Sequence, residues 1–283
     1  MRVREPLSEF SVSTGGVRLS AEESGEGPPI VLLHGLTATR RYVVMGSRTL
    51  ERAGHRVISY DARGHGRSAP ALNREEYGYE HLAADLEAVL DERGISSAVL
   101  AGASMGAHTA VRLALLHPER VAALGLITPS FDPSHPRTPE AFVRWDALAQ
   151  GLREGGVEGF VRAYDIDAVP EAWRETVAKV LRQRLSAHEH LEAVADALEV
   201  VPRSRPFDDF SELAGLEIPT IVVASRDEAD PGHPFEVGQS YVRAIPDARL
   251  IVEDAGPPAR SPIAWQGGQL SRVLAELADR SRA

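Results

Sequence analysis

The sequence of 283 residues contains no cysteine and a single lysine, Lys179. Without cysteine the chain can form no disulfide, no catalytic thiolate and no zinc–cysteine site. The lone lysine lies in a segment with helical patterning, away from the sequence motifs considered below, so we expect neither a lysine base nor a Schiff base. Arginine therefore supplies nearly all of the positive charge of the protein.

The protein is acidic overall, because 41 acidic residues outnumber 31 basic ones and give a formal net charge of −10. That balance disfavours nonspecific nucleic-acid binding and attraction to anionic membranes, since both depend on clusters of lysine or arginine. No apolar run approaches the ~18 residues that a membrane span requires. We therefore expect a cytoplasmic monomer or homodimer whose partner is a small molecule, not a nucleic acid or a membrane.

Short apolar runs alternate with stretches of helical spacing along most of the chain. This alternation predicts a mostly parallel sheet with helices on both faces. The predicted strands are 10–13, 17–21, 29–33, 56–60, 98–101, 121–127, 218–224 and 248–252. The predicted helices of this part are 79–93, 104–117, 236–244 and 269–279.

The alternation breaks between residues 131 and 216, where helical patterning continues without a convincing strand. Pro202 and Pro206, in a polar run, indicate the end of this insert. We therefore predict a core domain formed by 1–130 and 217–283, and a helical lid formed by 131–216. The lid is inserted after the sixth strand and is expected to cover the active site.

Several motifs follow predicted strands. Gly102 to Gly106 spells G-x-S-x-G between an apolar strand and a helix. In a sharp strand-to-helix turn of this kind the serine hydroxyl is exposed, and the glycines relieve the crowding around it. The segments 34–37, 61–68 and 255–256 read HGLT, DARGHGRS and AG, and Asp227 follows another strand. A carboxylate there has the chain order of an acid that orients a catalytic histidine.

Together these segments resemble the α/β-hydrolase superfamily, in its lidded branch of esterases, lactonases and haloperoxidase-like proteins. The resemblance covers essentially the whole chain and implies an eight-stranded, mostly parallel sheet flanked by helices, with a helical lid after the sixth strand. It implies that Ser104 is the nucleophile and that Asp227 holds the acid position. The backbone N–H groups of Leu36 and Met105 would form the oxyanion hole.

The same resemblance indicates that one catalytic part is missing. The histidine of the family would fall at Pro257, which has no proton acceptor on its side chain, and no residue after His233 is a histidine. Serine is a poor nucleophile without a base. His108, one helical turn after Ser104, and His233 are candidates for a displaced base. The alternative for each is a buried polar residue or a turn residue.

The pocket and the reaction are less constrained. We expect His34, Phe131, Trp145 and Pro257 to line the substrate pocket. We favour a hydrolase of a small ester, lactone or related acyl substrate that acts through Ser104 with a non-standard or impaired base. A non-catalytic ligand-binding or regulatory protein and a cofactor-free lyase, isomerase or cyclase remain alternatives. We expect no cofactor and no metal.

Overall fold

The computed structural model describes residues 7–226, 230–252 and 263–281. In these ranges the chain forms one sheet with helices on both sides. The strands are β1 (Ser8–Thr14), β2 (Val17–Ser24), β3 (Pro29–Leu33), β4 (Arg56–Tyr60), β5 (Ala98–Ala103), β6 (Val121–Ile127), β7 (Thr220–Val223) and β8 (Ala248–Ile251). The helices are α1 (Thr49–Arg52), α2 (Tyr79–Glu92), α3 (Met105–Leu116), α4 (Pro139–Ala163), α5 (Glu171–Leu185), α6 (Leu191–Val200), α7 (Phe235–Ala244) and α8 (Gly267–Arg280).

The strands of the described ranges lie in the order β1-β2-β4-β3-β5-β6-β7-β8. β1 and β2 form an antiparallel hairpin, and β2 also runs antiparallel to β4. All later neighbours are parallel. The predicted fold class, a mostly parallel eight-stranded sheet flanked by helices, is therefore confirmed.

Two apolar layers cover the sheet. One packs beneath α2, α3 and α7, and the other beneath α1 and α8. The central strands β3, β5, β6 and β7 are almost continuous apolar runs because both of their faces are buried. Since these strands are parallel, their carboxyl ends meet at one edge of the sheet, where loops from several strands converge.

Three helices, α4 to α6, fill the chain between β6 and β7 without an intervening strand in the described residues. α4 breaks at Gly155 and Gly156, and the second of these has a φ of +57°. The two halves of α4 then approach so closely that a Cβ on Gly159 would lie 1.9 Å from the Gly151 carbonyl oxygen. None of the described helices is both long and apolar enough to cross a bilayer.

A buried ion pair joins the loop after β4 to α2. Arg63 is 2% exposed and donates from Nε and Nη2 to the two carboxylate oxygens of Asp85, at 2.8 and 2.7 Å. The Arg63 Nη1 group also donates to the Glu76 carbonyl oxygen at 3.0 Å. Each charge is buried only because the other compensates it, so loss of one partner leaves an uncompensated charge.

We predict that Asp85→Asn lowers the free energy of unfolding by about 3 kcal/mol, because the buried Arg63 guanidinium loses its bidentate partner and keeps only the Glu76 carboxylate at 3.8 Å as a countercharge. Urea denaturation measures this change. The matched control is Asp91→Asn on the same helix, where a 65%-exposed carboxylate pairs with Arg120. That variant is expected to lose no more than about 1 kcal/mol. Equal losses in the two variants would contradict the prediction.

Candidate active site

Ser104 lies at a strained turn between β5 and α3. Its φ of +50° and ψ of −113° are a combination that residues other than glycine rarely adopt. A Cβ on Gly102 would lie 2.2 Å from the Gly106 carbonyl carbon, and a Cβ on Gly106 would lie 2.3 Å from the Leu33 carbonyl oxygen. Glycine at both positions therefore lets β3, the turn and α3 approach closely and presents the serine at the carboxyl edge of the sheet.

The loop that follows β3 lies against this turn. A Cβ on Gly35 would lie 3.6 Å from the Ser104 Cβ. Neither the Leu36 N–H nor the Met105 N–H donates a hydrogen bond to another described residue. Met105 is the first residue of α3, and a helix leaves its first N–H groups without internal partners. Two backbone donors at the serine turn are thus unused.

Two buried histidines hold the loop after β3 in place. His65 donates from Nε2 to the Leu36 carbonyl oxygen at 2.6 Å. His188, between α5 and α6, donates from Nε2 to the Thr37 carbonyl oxygen at 3.2 Å and accepts the Gly66 N–H at Nδ1 at 2.8 Å. The peptide groups next to Ser104 are therefore fixed by side chains from both the sheet domain and the helical segment.

A cavity of about 200 Å³ opens above Ser104. The core and the helical segment both contribute to its wall. Among its lining residues are Gly35, Leu36, Thr37, Tyr42, Ser104, Thr128, Arg144, Trp145, Leu148, Phe160, Tyr164, Leu181, Arg184, Asp230, His233 and Trp265. A largely apolar wall with a few polar groups is typical of sites for small molecules.

His233 lies in this cavity with Ser104 and forms a pair with Asp230. The His233 Nδ1 is 2.8 Å from Asp230 Oδ2, and the His233 N–H donates to the Asp230 carbonyl oxygen at 3.2 Å. Both side chains are largely buried, at 25% and 20% exposure. The spacing of three residues in the loop before α7 brings the two groups together without any long-range contact.

Asp230 is held in its ionised form. Burial alone would raise the pKa of its carboxyl, but the charge and the hydrogen bond of His233, followed by the charge of Arg184, lower the pKa below its ordinary value. An ionised carboxylate can only accept hydrogen bonds, so His233 carries its proton on Nδ1. When His233 is neutral, its Nε2 is then left as a proton acceptor.

A family model described as alpha/beta hydrolase fold matches residues 28–179, which is more than half of the chain. The chain belongs to the alpha/beta hydrolase family. A 2-hydroxy-6-oxononadienedioate/2-hydroxy-6-oxononatrienedioate hydrolase of Pseudomonas putida is 31% identical over 244 residues, covering 83% of this hydrolase and 83% of that protein.

Solved structures of hydrolases share the same architecture. A thermophilic esterase from Thermogutta terrifontis, solved with malate bound, superimposes with a TM-score of 0.77 at 28% identity, covering 98% of this chain and 100% of that one. The enol-lactonase from Burkholderia xenovorans LB400 superimposes with a TM-score of 0.73 at 24% identity, covering 95% and 99%. At that lower identity the likeness shows the fold alone.

The structure does not present the His108 ring, expected as a possible displaced base, to Ser104. Its Nε2 accepts the backbone N–H groups of Ser130 and Phe131 at 3.0 and 3.1 Å, and its Nδ1 lies 2.9 Å from the Tyr79 hydroxyl. Both ring nitrogens are therefore occupied. Burial, followed by the charge of His233, lowers the pKa of His108 to about 3, so the ring is a neutral structural group of the hydrolase core.

Two of the residues expected to line the pocket do not line the cavity of Ser104. His34 is 2% exposed and accepts the Ala62 N–H at 2.9 Å, which commits its ring to the interior below the loop. Phe131 packs its ring edge against His108 and Phe207 in the apolar layer under the sheet. Trp145, in contrast, lies in the wall of the cavity.

Asp227 and Pro257 lie outside the described residues, so the predicted acid position and the predicted gap in the hydrolase triad remain predictions. Within the described ranges, no group of three histidine, aspartate or glutamate side chains could hold a metal ion.

Among the cavity residues that the sequence analysis missed are Asp230, Arg184 and Trp265. Asp230 could have been found, because an aspartate three residues before a histidine in a loop can form a local pair. Arg184 and Trp265 carry no such signal. They meet only because α5 packs next to the turn that precedes α8.

Buried neutral histidines predict a loss of stability in acid. Burial is the largest cause that lowers the pKa of His34, His108 and His188 to about 3 each. Between that value and the ordinary value of 6.5, the unfolded chain binds protons that the folded hydrolase does not. The free energy of unfolding therefore falls as the pH is lowered, by up to about 1.4 kcal/mol per pH unit for each histidine.

Urea denaturation at pH 7.5 and pH 5.0 checks this prediction. His108→Gln removes one of the three groups, so its loss of stability between the two pH values should be smaller than that of the unchanged protein by up to ~2 kcal/mol. His135→Gln, at a 68%-exposed position, is the control and is expected to behave like the unchanged protein. An equal pH dependence in the His108 variant would show that this ring is not kept neutral by folding.

Proposed function

We propose that this protein hydrolyses a small ester, lactone or related acyl substrate with Ser104 as nucleophile and His233 as its general base. Asp230 orients His233, and the backbone N–H groups of Leu36 and Met105 stabilise the oxyanion. The observation that carries the proposal is the pair of Asp230 and His233 in the same cavity as the strained serine.

The tautomer of His233 supports its role. Its Nδ1 proton faces the Asp230 carboxylate, and no other described residue hydrogen-bonds its Nε2. A base oriented in this way accepts a proton at one nitrogen while the carboxylate stabilises the resulting imidazolium at the other. Ser104, Asp230 and His233 then occur along the chain in the Ser…Asp…His order of the family, and each of the three roles has a proposed residue.

The reaction proceeds in two balanced steps. His233 Nε2 takes the proton of the Ser104 hydroxyl while the oxygen attacks the acyl carbon, and the carbonyl electrons move onto the oxyanion. The oxyanion collapses, the leaving alkoxide takes the proton from His233, and an acyl-enzyme remains. Water then repeats the sequence and releases the acid. Loss of one oxyanion donor costs roughly 3–4 kcal/mol of transition-state stabilisation in comparable sites.

The relatives favour this reaction class. The Pseudomonas putida relative is named as a hydrolase, and the Thermogutta terrifontis relative is named as an esterase. We also propose that 131–216 acts as a lid on a core of 1–130 and 217–283. Arg144, Trp145 and Tyr164 contribute to the wall of the Ser104 cavity from this segment.

Site-directed variants test the proposal with 4-nitrophenyl butyrate as substrate. His233→Gln should lower kcat by about 10²- to 10⁴-fold, because a general base contributes that factor. Ser104→Ala should abolish activity and labelling by a fluorophosphonate probe. Asp230→Asn should lower kcat by up to about 10⁴-fold, since it removes the group that fixes the tautomer.

The chain offers a matched control for this pair. Asp132 and His135 have the same spacing, with His135 Nδ1 3.2 Å from Asp132 Oδ2, but neither lines the Ser104 cavity. His135→Gln is expected to leave kcat unchanged. Asp227→Asn separates the two candidate acids. If it abolishes activity while Asp230→Asn does not, Asp227 is the acid and the proposed pair is wrong.

A further inference from the structure

Arg184 is a buried cation in the wall of the Ser104 cavity. It comes from the last turn of α5, and its Cζ lies over the rings of Trp265 and Tyr42 at 4.8 and 5.6 Å from their centroids. Its Nε is buried and has no hydrogen-bond partner among the residues that the structure describes. A buried donor without a partner is costly, so the position is suited to a group that is supplied from outside the chain.

The other arginines of α5 differ from Arg184 because each has a carboxylate partner. Arg174 pairs with Asp167 at 2.9 Å, and Arg182 pairs with Glu158 at 2.7 Å. In the described part of the chain, no carboxylate lies within 4 Å of Arg184. Asp230 interacts with it only through a longer-range charge effect, and the Asp230 carboxylate is already hydrogen-bonded by His233.

The charged residues that line the cavity also favour an anionic ligand. Its described lining contains Arg144 and Arg184 but only one carboxylate, that of Asp230. This positive wall belongs to a protein of formal net charge −10, so the cation concentrates anions at one place on an otherwise acidic molecule. Arg184 also lines an adjoining cavity of about 390 Å³, which leaves room for a substrate that extends beyond the serine.

We propose that Arg184 binds a carboxylate of the substrate, and therefore that the hydrolase acts on esters or lactones that carry a second, free carboxylate group. The guanidinium presents its N–H donors in a planar fork that matches the two oxygens of a carboxylate. The rings of Trp265 and Tyr42 cover the face of the guanidinium, so its Nε–H remains available for a hydrogen bond to the carboxylate. The inference rests on the proposed reaction of Ser104, which supplies the acyl chemistry.

Two isosteric esters test the substrate class on the unchanged protein. One is the mono-4-nitrophenyl ester of adipic acid, with a free terminal carboxylate, and the other is its terminal carboxamide. We expect kcat/KM to be about 10- to 100-fold higher for the carboxylate, because hydrogen bonds to charged groups contribute at that level. Equal values for the two esters would overturn the assignment without any variant being made.

Variants of Arg184 test whether this side chain causes the preference for the carboxylate ester. Arg184→Gln should lower kcat/KM for the carboxylate ester by about 10- to 100-fold and leave the carboxamide within about threefold. Arg184→Lys keeps the charge without the fork and should retain part of the preference. Arg182→Gln, two residues earlier on the same helix and outside the cavity, is the control and should keep the full preference. A preference that survives in a folded Arg184→Gln variant would overturn the role of Arg184.

Binding without turnover separates this inference from the proposed reaction. Calorimetry on Ser104→Ala should detect adipate and lose most of that affinity when Arg184→Gln is added. If adipate binds in this way but neither ester is hydrolysed, the reaction is wrong and the carboxylate site stands. If both esters are hydrolysed but adipate does not bind, the reaction stands and the site is wrong. Binding of inorganic phosphate without adipate would also overturn the carboxylate assignment.

Discussion

The backbone of Ser104 is the constraint on which the rest of the site depends. Its positive φ is held by the peptide contacts on both sides, where the Ser104 N–H donates to the Ile127 carbonyl oxygen at 2.9 Å and the His108 N–H donates to the Ser104 carbonyl oxygen at 3.1 Å. β6 and α3 thus fix the turn from opposite sides. A strained conformation of this kind costs of order 1–3 kcal/mol and persists only where its surroundings over-determine it. The buried parallel strands provide that rigidity, so the serine is positioned before any substrate arrives.

Much of the fold could be predicted from the local sequence pattern, because the central strands of the sheet are buried on both faces. β6 (Val121–Ile127) has the predicted bounds because a strand covered on both faces is a continuous apolar run ended by polar residues. β7 is shorter than its apolar run, since Ile218 precedes the paired residues and Ala224 contributes only the last inter-strand hydrogen bond, to the Ile251 carbonyl oxygen at 3.1 Å. The glycines around Ser104 were recognisable for a similar reason, because the close approach of the turn excludes any side chain there.

The electrostatics of the cavity were not predictable from the same kind of pattern. Arg184 and Trp265 are separated by 81 positions in the chain and meet through the packing of α5, which no local spacing encodes. The roles of the histidines were likewise undetermined, since His108 is close to Ser104 in sequence and His233 is close to Asp227. What separates them is the identity of their partners: His108 meets two backbone N–H donors and a hydroxyl, whereas His233 meets a carboxylate. A ring whose two nitrogens are both hydrogen-bonded within the core stabilises structure, and a neutral ring oriented by a carboxylate retains an acceptor for chemistry.

The proposed base, placed by a local pair, changes what the site requires of the fold. In the arrangement implied by the family resemblance, the histidine follows the final strand and the acid follows β7, so two loops must be brought into register with the serine. Here Asp230 and His233 come from one loop, and their mutual geometry is fixed by a backbone hydrogen bond of 3.2 Å as well as by the side chains. Proline at position 257 is then compatible with catalysis, because the residue after the final strand no longer needs to exchange a proton. The charge of Arg184 also lowers the pKa of Asp230, so the proposed acid interacts with the same cation that we propose binds the substrate carboxylate. His233 contributes more than Arg184 to the stabilisation of the Asp230 carboxylate, so an anion that neutralises Arg184 leaves His233 as the main remaining counter-ion. In the proposed mechanism, a substrate carboxylate on Arg184 would therefore make Asp230 depend more on the histidine that it orients.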